Sequence, residues 1–132
     1  MILADSSLWI DLLIDPGRVP SALKVMTDFA TCGPIMQEVL QGLNERNPLA
    51  PGFREIFLDL PRLSDPLPSD LFVDAAKIYS EGRRRGITIR STTDCLIAAI
   101  AIHNDVPLWH RDRDFAAIAR YTPLKAMSRY VI

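Results

Sequence analysis

The sequence predicts a three-layer α/β/α fold with a mainly parallel central sheet. Short apolar segments alternate with longer helical segments along the chain, which is the pattern of βαβ units. One helical segment in the second half is apolar on all sides, as is typical of a helix buried against a sheet. The chain has 132 residues, a common size for one hydrophobic core, and shows no repeat or low-complexity tract. We therefore expect a single domain over residues 1–132.

The first half of the chain predicts one strand followed by short helices. An apolar run at residues 1–4 predicts a buried strand. A stretch opened by Ser6 or Ser7, one opened by Pro20 and one opened by Gly33 carry apolar residues at helical spacing. The predicted elements of this half are a strand at 1–4, helices at about 6–13, 20–30 and 33–43, a loop at 44–52, and a helix over about 53–60 that turns into a strand near 60–63.

The second half alternates more clearly between helices and strands. Amphipathic spacing predicts a long helix over about residues 70–85, capped by Gly86. Thr92 or Thr93 opens the helix that is apolar on all sides. The predicted elements that follow are the end of that helix near residue 104, a strand at 106–109, a helix at 112–121 and a strand at 124–127.

Composition excludes several classes of protein. Hydrophobic residues make up 48%, charged residues 23% and the formal net charge is −1, which excludes histone-like and acidic disordered chains. No apolar run reaches the roughly 18 to 20 residues that span a bilayer. The first residues carry no basic lead-in or cleavage site, so we expect no secretory signal. We therefore expect a cytoplasmic protein with no membrane association. Cys32 and Cys95 lie in apolar contexts without metal-type spacing, so we expect small, buried, reduced side chains.

The charge is distributed unevenly along the chain. Residues 1–82 carry six basic and twelve acidic side chains, whereas residues 83–132 carry nine basic and four acidic ones. Twelve of the fifteen cations are arginines, whose planar guanidinium suits forked contacts to phosphate. The basic half is explained either by a phosphate-bearing partner or by ordinary surface solvation.

Three carboxylates lie at the predicted ends of strands. Asp5 ends the first strand, and Asp112 and Asp114 follow the strand at 106–109. Ligands of open parallel sheets collect at the carboxyl ends of the strands. We therefore expect these three side chains, from opposite ends of the chain, to meet at one edge.

Two further carboxylates lie in apolar helices. Glu38 is flanked by apolar residues, and Asp94 lies in the first turn of the most apolar helix, where Arg90 is the only cation nearby in sequence. Burying a lone charge costs several kcal/mol, and a divalent cation shared among carboxylates removes that cost. Oxygen ligands suit Mg²⁺ or Mn²⁺. Helix capping by the aspartates Asp94, Asp112 and Asp114, and solvent exposure of Glu38, are the alternative explanations.

The segments that carry these residues resemble a PIN-domain ribonuclease of the VapC type, the toxin of VapBC toxin–antitoxin pairs. The matching segments, which cover essentially the whole chain, are ILADSSLWIDLL, PIMQEVLQGL and IRSTTDCLIAAIAIHNDVPLWHRDRDFAAIA. The resemblance implies an endoribonuclease that depends on Mg²⁺ or Mn²⁺ and cleaves RNA, with transfer or ribosomal RNA as targets. The site residues that it implies are catalytic Asp5, Glu38, Asp94 and Asp112, and metal-binding Asp5, Asp94, Asp112 and Asp114.

The resemblance also implies partners. They are a VapB-type antitoxin that covers the groove, the RNA substrate and a second copy of the chain in a homodimer. Arg90, Arg111 and Arg113 lie nearest the expected site and are candidates for binding RNA phosphates. His110 stands where a threonine or serine is common in the family, and either a structural role or a substrate contact remains open for it.

Two other functions are compatible with parts of the sequence. A phosphoacceptor receiver domain is also doubly wound and uses an acidic Mg²⁺ pocket, and Asp59 resembles its acceptor. However, Ser6 and Ser7 follow Asp5 where receivers carry paired acids. The second alternative is a PIN module that has lost catalysis, although every acidic position is filled.

Overall fold

The computed structural model describes residues 1–14 and 28–128. The predicted helix at 20–30 lies mostly outside these ranges. The described elements, in chain order, are β1 (Ile2–Ala4), α1 (Ser6–Ile14), β2 (Phe29–Ala30), α2 (Gly33–Gln41), α3 (Ala50–Asp59), α4 (Ser69–Arg84), α5 (Thr92–His103), β3 (Leu108–Trp109), α6 (Arg113–Ala119) and β4 (Ala126–Met127).

The four strands form one sheet in the order β2-β1-β3-β4, and every pairing is parallel. Leu3 pairs with Ala30 on one side and with Leu108 on the other, so β1 is a central strand. Parallel neighbours require crossover connections, which the helices supply. The predicted three-layer α/β/α fold with a parallel sheet is therefore confirmed.

The segment around Phe29 differs from the prediction. Phe29 and Ala30 form β2, where a helix to about residue 30 was expected. Both residues are buried, and their backbone pairs with Ile2 and Leu3 of β1. Partners 27 residues away in the chain decide the conformation here, because tertiary pairing overrides a short local pattern.

Other boundaries shift by a few residues. Helix α3 begins at Ala50, inside the predicted loop at 44–52, and the predicted strand near 60–63 is reduced to a single bridge between Thr31 and Arg62. Ser91, rather than Thr92 or Thr93, precedes α5 as its N-cap. The strands are shorter than the apolar runs that predict them. Gly86 follows α4 with a φ of 78°, the left-handed conformation expected after a helix.

Helix α5 is the most buried helix of the fold. Its buried side chains include Ile97, Ala98 and Ile100, and it packs mainly against the long helix α4. Helix α5 has 12 residues.

Among the helices of the described ranges, none is both long and apolar enough to cross a membrane.

An aromatic cluster fixes the end of β1. The indole N–H of Trp9 donates to the Ala4 carbonyl at 3.0 Å, and its ring packs edge-on against Phe29 and Phe57. Trp109 stacks on the other side of Phe29, with ring centroids 5.6 Å apart. The backbone that leads into residue 5 is thus held by buried aromatic packing.

Both cysteines are free and buried, as expected.

Candidate active site

The ends of β1 and β3 bring the two halves of the chain together. The backbone N–H of Asp5 donates to the Trp109 carbonyl at 2.9 Å, so the residues that leave the two strands start side by side. Asp5 enters α1 directly, and Asp112 follows β3 by three residues. Parallel strands end on the same edge, which is why residues more than 100 positions apart meet here.

A cavity of about 540 Å³ opens at this edge. It contains acidic side chains from both halves of the chain and basic side chains from the second half. Its lining consists of Asp5, Ser6, Ser7, Glu38, Arg90, Asp94, Arg111, Asp112 and Arg113. The structure therefore brings all of the predicted catalytic and substrate-binding residues to one cavity. Asp114 is not part of the lining but lies beside it, buried and in contact with Arg90.

Three of the carboxylates are close enough to share a cation. One oxygen each from Asp94, Asp112 and Asp114 lies within 4.8 Å of the others. Asp94 and Asp114 are buried and Asp112 is partly exposed, which leaves the group open towards the cavity. An all-oxygen donor set of this kind suits Mg²⁺ or Mn²⁺.

Asp94 carries the largest electrostatic strain in the cluster. Burial, together with the charges of Asp5, Asp112, Glu38 and Asp114, raises the pKa of its carboxyl to about 7, and burial is the largest cause. Within the described ranges Asp94 forms no salt bridge. A bound cation would stabilise the ionised form and lower this pKa.

The pKa values of Asp5 and Glu38 are raised as well. Burial is the main cause that raises the pKa of Asp5, against hydrogen bonds from Ser6 and Ser7. Burial and the charge of Asp5 raise the pKa of Glu38. Glu38 is half-buried, and its Oε1 atom has no hydrogen-bond partner in the described part of the chain. Glu38 is therefore not the solvated surface residue of the alternative explanation.

Arg90 forms ion pairs with Asp112 and Asp114, the two carboxylates at the N-terminus of α6. Its Nε donates to Asp114 Oδ2 at 3.2 Å, and its Nη2 lies 3.5 Å from Asp112 Oδ1. In the sequence, Arg90 is the cation nearest Asp94, four residues before it. The structure pairs it instead with carboxylates more than 20 residues away.

Asp112 both caps helix α6 and lines the cavity. Its Oδ1 accepts the backbone N–H of Asp114 at 2.9 Å and so caps α6, as the alternative explanation proposed. Capping uses one oxygen only, so it is compatible with a place in the cavity. The sequence predicted a helix from Asp112, and the structure places this residue at the N-cap, just before the helix begins.

His110 holds the loop between β3 and Asp112. Its Nδ1 accepts the backbone N–H of Asp112 at 3.1 Å, and its ring packs against Phe115. Burial lowers the pKa of His110, and an unprotonated Nδ1 is the form that can accept this hydrogen bond. The structure therefore gives His110 a positioning role.

The two other arginines at the cavity differ in their contacts. Arg111 forms an ion pair with Asp11 of α1. Arg113 lies at the start of α6 and lines the cavity. Both residues line the cavity together with the carboxylates.

Sequence reasoning missed three contacts of the site. They are the hydrogen bond of His110 to the Asp112 backbone, the ion pair of Arg111 with Asp11, and the hydrogen bond from Ser7 Oγ to Asp5 Oδ2 at 3.3 Å. The first and third join residues two positions apart, a spacing at which side chains commonly bond the nearby backbone or each other. The second depends on how α1 lies beside β3, for which the sequence gives no signal.

The chain matches known proteins over most of its length. The family model of the PIN domain matches residues 2–121. The ribonuclease VapC11 of Mycobacterium tuberculosis is 38% identical over 140 residues, which cover 97% of this chain and 98% of the relative. A VapC ribonuclease of Mycobacterium bovis matches equally well. The receiver alternative finds no support in these matches.

Solved structures show the same fold. VapBC2 from Rickettsia felis, bound to a DNA fragment from its promoter, has a TM-score of 0.71 at 16% identity and covers 96% of this chain and 97% of that one. VapBC-5 from Mycobacterium tuberculosis, a member of the VapBC family of toxin–antitoxin systems, has a TM-score of 0.64 at 21% identity, with 95% of each chain covered. The carboxylates gathered at the sheet edge, the matched family model and the 38% identity lead to one conclusion: this chain belongs to the PIN-domain family and, within it, to the VapC ribonucleases.

Proposed function

We propose that this chain is the toxin of a VapBC-type module and acts as a metal-dependent endoribonuclease. The observation that carries the proposal is the group of five carboxylates, four lining a cavity rimmed by arginines and the fifth, Asp114, beside it, with Asp94, Asp112 and Asp114 within 4.8 Å of one another. Its relatives are named ribonucleases, and its structural neighbours are toxin–antitoxin complexes. A cavity of this kind can neutralise a phosphodiester and activate water.

The carboxylates fit Mg²⁺ or Mn²⁺. Asp94, Asp112 and Asp114, whose oxygens lie within 4.8 Å of one another, would hold the cation together with Asp5 of the same cavity. The cation supplies Lewis acidity, which neutralises charge on the phosphodiester and makes water acidic enough to act as a nucleophile near neutral pH. The raised pKa of Asp94 fits this assignment, because no basic side chain of residues 1–14 and 28–128 forms an ion pair with this carboxylate.

The remaining residues act on the substrate and on protons. Glu38 has a raised pKa and an unpartnered Oε1, so it is suited to accept a proton at that atom during attack on the phosphodiester. Arg90, Arg111 and Arg113 bind and orient the phosphates of the RNA. His110 and the N-terminus of α6 keep Asp112 in position.

The partners follow from the same assignment. A VapB-type antitoxin is the partner of this chain, RNA is its substrate, with transfer RNA ahead of ribosomal RNA, and the cytoplasm is its location. We also propose a homodimer. Phe72 and Val73 on α4 are each 53% exposed and offer apolar surface for such an interface.

Cleavage of RNA by site variants tests the proposal. The purified chain is incubated with total transfer and ribosomal RNA in Mg²⁺, Mn²⁺ or EDTA, and the new RNA ends are mapped. We expect cleavage with either metal and none in EDTA. Asp5→Asn should lose at least about 100-fold in rate, because changes in residues behind a metal ligand already cost 10- to 100-fold.

Asp59→Asn is the matched control. It makes the same charge change at an exposed position at the end of α3 and should cleave like the wild type. Wild-type rates in a correctly folded Asp5→Asn variant would refute the site. A wild-type chain that cleaves no RNA under any of these conditions supports the binding-only PIN module instead.

A further inference from the structure

Arg90 makes three contacts with two of the clustered carboxylates. Its backbone N–H donates to Asp114 Oδ2 at 3.3 Å, its Nε donates to the same oxygen at 3.2 Å, and its Nη2 donates to Asp112 Oδ1 at 3.5 Å. The Arg90 side chain is 60% exposed, whereas the Asp114 side chain is 10% exposed. The guanidinium therefore covers a buried carboxylate from the solvent side.

These contacts are made to the carboxylates that would share a cation. Asp112 and Asp114 belong to the group of three whose oxygens lie within 4.8 Å of one another. Asp112 Oδ1 already accepts the Asp114 backbone N–H, and Asp114 Oδ2 already accepts two donors from Arg90. A guanidinium and a divalent cation repel each other and would use the same two carboxylates, so they compete.

The backbone N–H and the side chain of Arg90 contact Asp114 independently of each other. The N–H of residue 90 holds Asp114 whatever the side chain does, so Asp114 keeps its position when the guanidinium leaves. The guanidinium is long, mostly exposed and at the rim of the cavity, with Arg111 and Arg113 also on the lining. It can therefore turn from the carboxylates towards a phosphate in the cavity without disturbing the buried residues.

We propose that Arg90 is a movable counter-ion that exchanges partners during substrate binding. Its side chain pairs with Asp112 and Asp114 until a divalent cation takes these carboxylates, and it then binds a phosphate of the RNA. This inference rests on the proposed function, because it requires both the metal and the RNA. It predicts opposite effects of one substitution on the two ligands.

The first arm of the experiment measures metal binding without RNA. Thermal unfolding is followed during titration with MnCl₂ for the wild type, Arg90→Gln, Arg90→Lys and Arg84→Gln. Arg84 pairs with Glu81 on α4, so Arg84→Gln is a control for the loss of one positive charge. We expect Arg90→Gln to bind Mn²⁺ about three- to tenfold more tightly than the wild type, because a competing cation is removed. Arg90→Lys should fall between them, and Arg84→Gln should match the wild type.

The second arm measures RNA binding at saturating MnCl₂. The KM for an RNA that the wild type cleaves is determined at several NaCl concentrations. Arg90→Gln should raise KM about three- to tenfold and reduce the slope of log KM against log salt by about 0.7, the value for one contact to single-stranded RNA. Arg90→Lys keeps the charge and should keep the slope.

The outcomes separate this inference from the proposed function. If MnCl₂ does not stabilise the wild type, the metal site fails and the inference fails with it. If MnCl₂ stabilises the wild type and Arg90→Gln to the same extent, only the inference is overturned. If Arg90→Gln weakens both Mn²⁺ and RNA binding, Arg90 merely positions Asp114, and the exchange of partners is refuted.

Discussion

The buried charge of Asp94 makes the stability of the metal-free protein depend on pH in a defined way. The pKa of Asp94 rises from 3.8 to about 7 on folding, so between these values the folded state holds a proton that the unfolded state releases. Stability therefore falls as pH rises, from about pH 4 to about pH 7, and is constant above. At 1.36 kcal/mol per pKa unit, the full loss of unfolding free energy is roughly 4 kcal/mol.

Asp94→Asn removes this titration and keeps the shape of the side chain. The amide has its own desolvation cost, but that cost does not change with pH. The informative quantity is therefore the difference in unfolding free energy between variant and wild type, compared at pH 5 and pH 8. Because about two units of the shift lie between these values, we expect the difference to move by about 2 to 3 kcal/mol in favour of Asp94→Asn.

Urea denaturation in EDTA measures this difference. Unfolding free energies are extrapolated to water at both pH values for the wild type, Asp94→Asn and Asp74→Asn. Asp74 is exposed in the middle of α4, so its variant makes the same chemical change without the burial and should show no such pH dependence. A difference for Asp94→Asn that stays within about 0.5 kcal/mol of its value at pH 5 contradicts the electrostatic account of the cluster.

Two further substitutions test the hydrogen bond that positions Asp112 and the close packing around Gly82. His110→Asn keeps an acceptor for the Asp112 N–H and should retain cleavage and Mn²⁺ affinity, whereas His110→Leu should lower both about 10- to 100-fold, as measured by kcat/KM and by titration. Gly82→Ala should lower the unfolding free energy by about 1 to 3 kcal/mol in urea, because a Cβ there would lie 2.6 Å from Tyr121 Oη and 3.0 Å from the Ile87 carbonyl. Wild-type cleavage by His110→Leu, or wild-type stability of Gly82→Ala, would contradict these contacts.

Much of the site could be predicted because it uses features that are local in sequence. Asp5 and Asp112 stand next to apolar strand segments, and the ends of parallel strands lie on one edge of a sheet. Asp94 is conspicuous because the helix around it is apolar on all sides. In each case a charged residue breaks a pattern that extends over several neighbours, and such a break is visible without coordinates.

The features that could not be predicted depend on contacts between distant parts of the chain. The strand at Phe29 has only two residues, so it cannot show the alternation of apolar and polar residues that is typical of strands. Its pairing with β1 makes this segment a strand. Arg90 was closest in sequence to Asp94, yet its side chain reaches Asp114, 24 residues away, because the loop before α5 and the start of α6 lie together at the cavity. Local spacing identifies which charges need a partner, but the fold decides which partner each of them obtains.

The carboxylates of the cluster differ in whether a basic side chain pairs with them. On one side Arg90 forms ion pairs with Asp112 and Asp114 before any cation binds. On the other side Asp94 has no such partner in the described ranges, and its charge opposes folding near neutral pH. In the proposed mechanism a divalent cation would lower the pKa of Asp94 and at the same time displace the Arg90 side chain from Asp112 and Asp114. The stabilisation on metal binding must then come mainly from the Asp94 side, so Asp94→Asn should lose most of the rise in melting temperature that MnCl₂ produces, whereas Arg90→Gln should increase it.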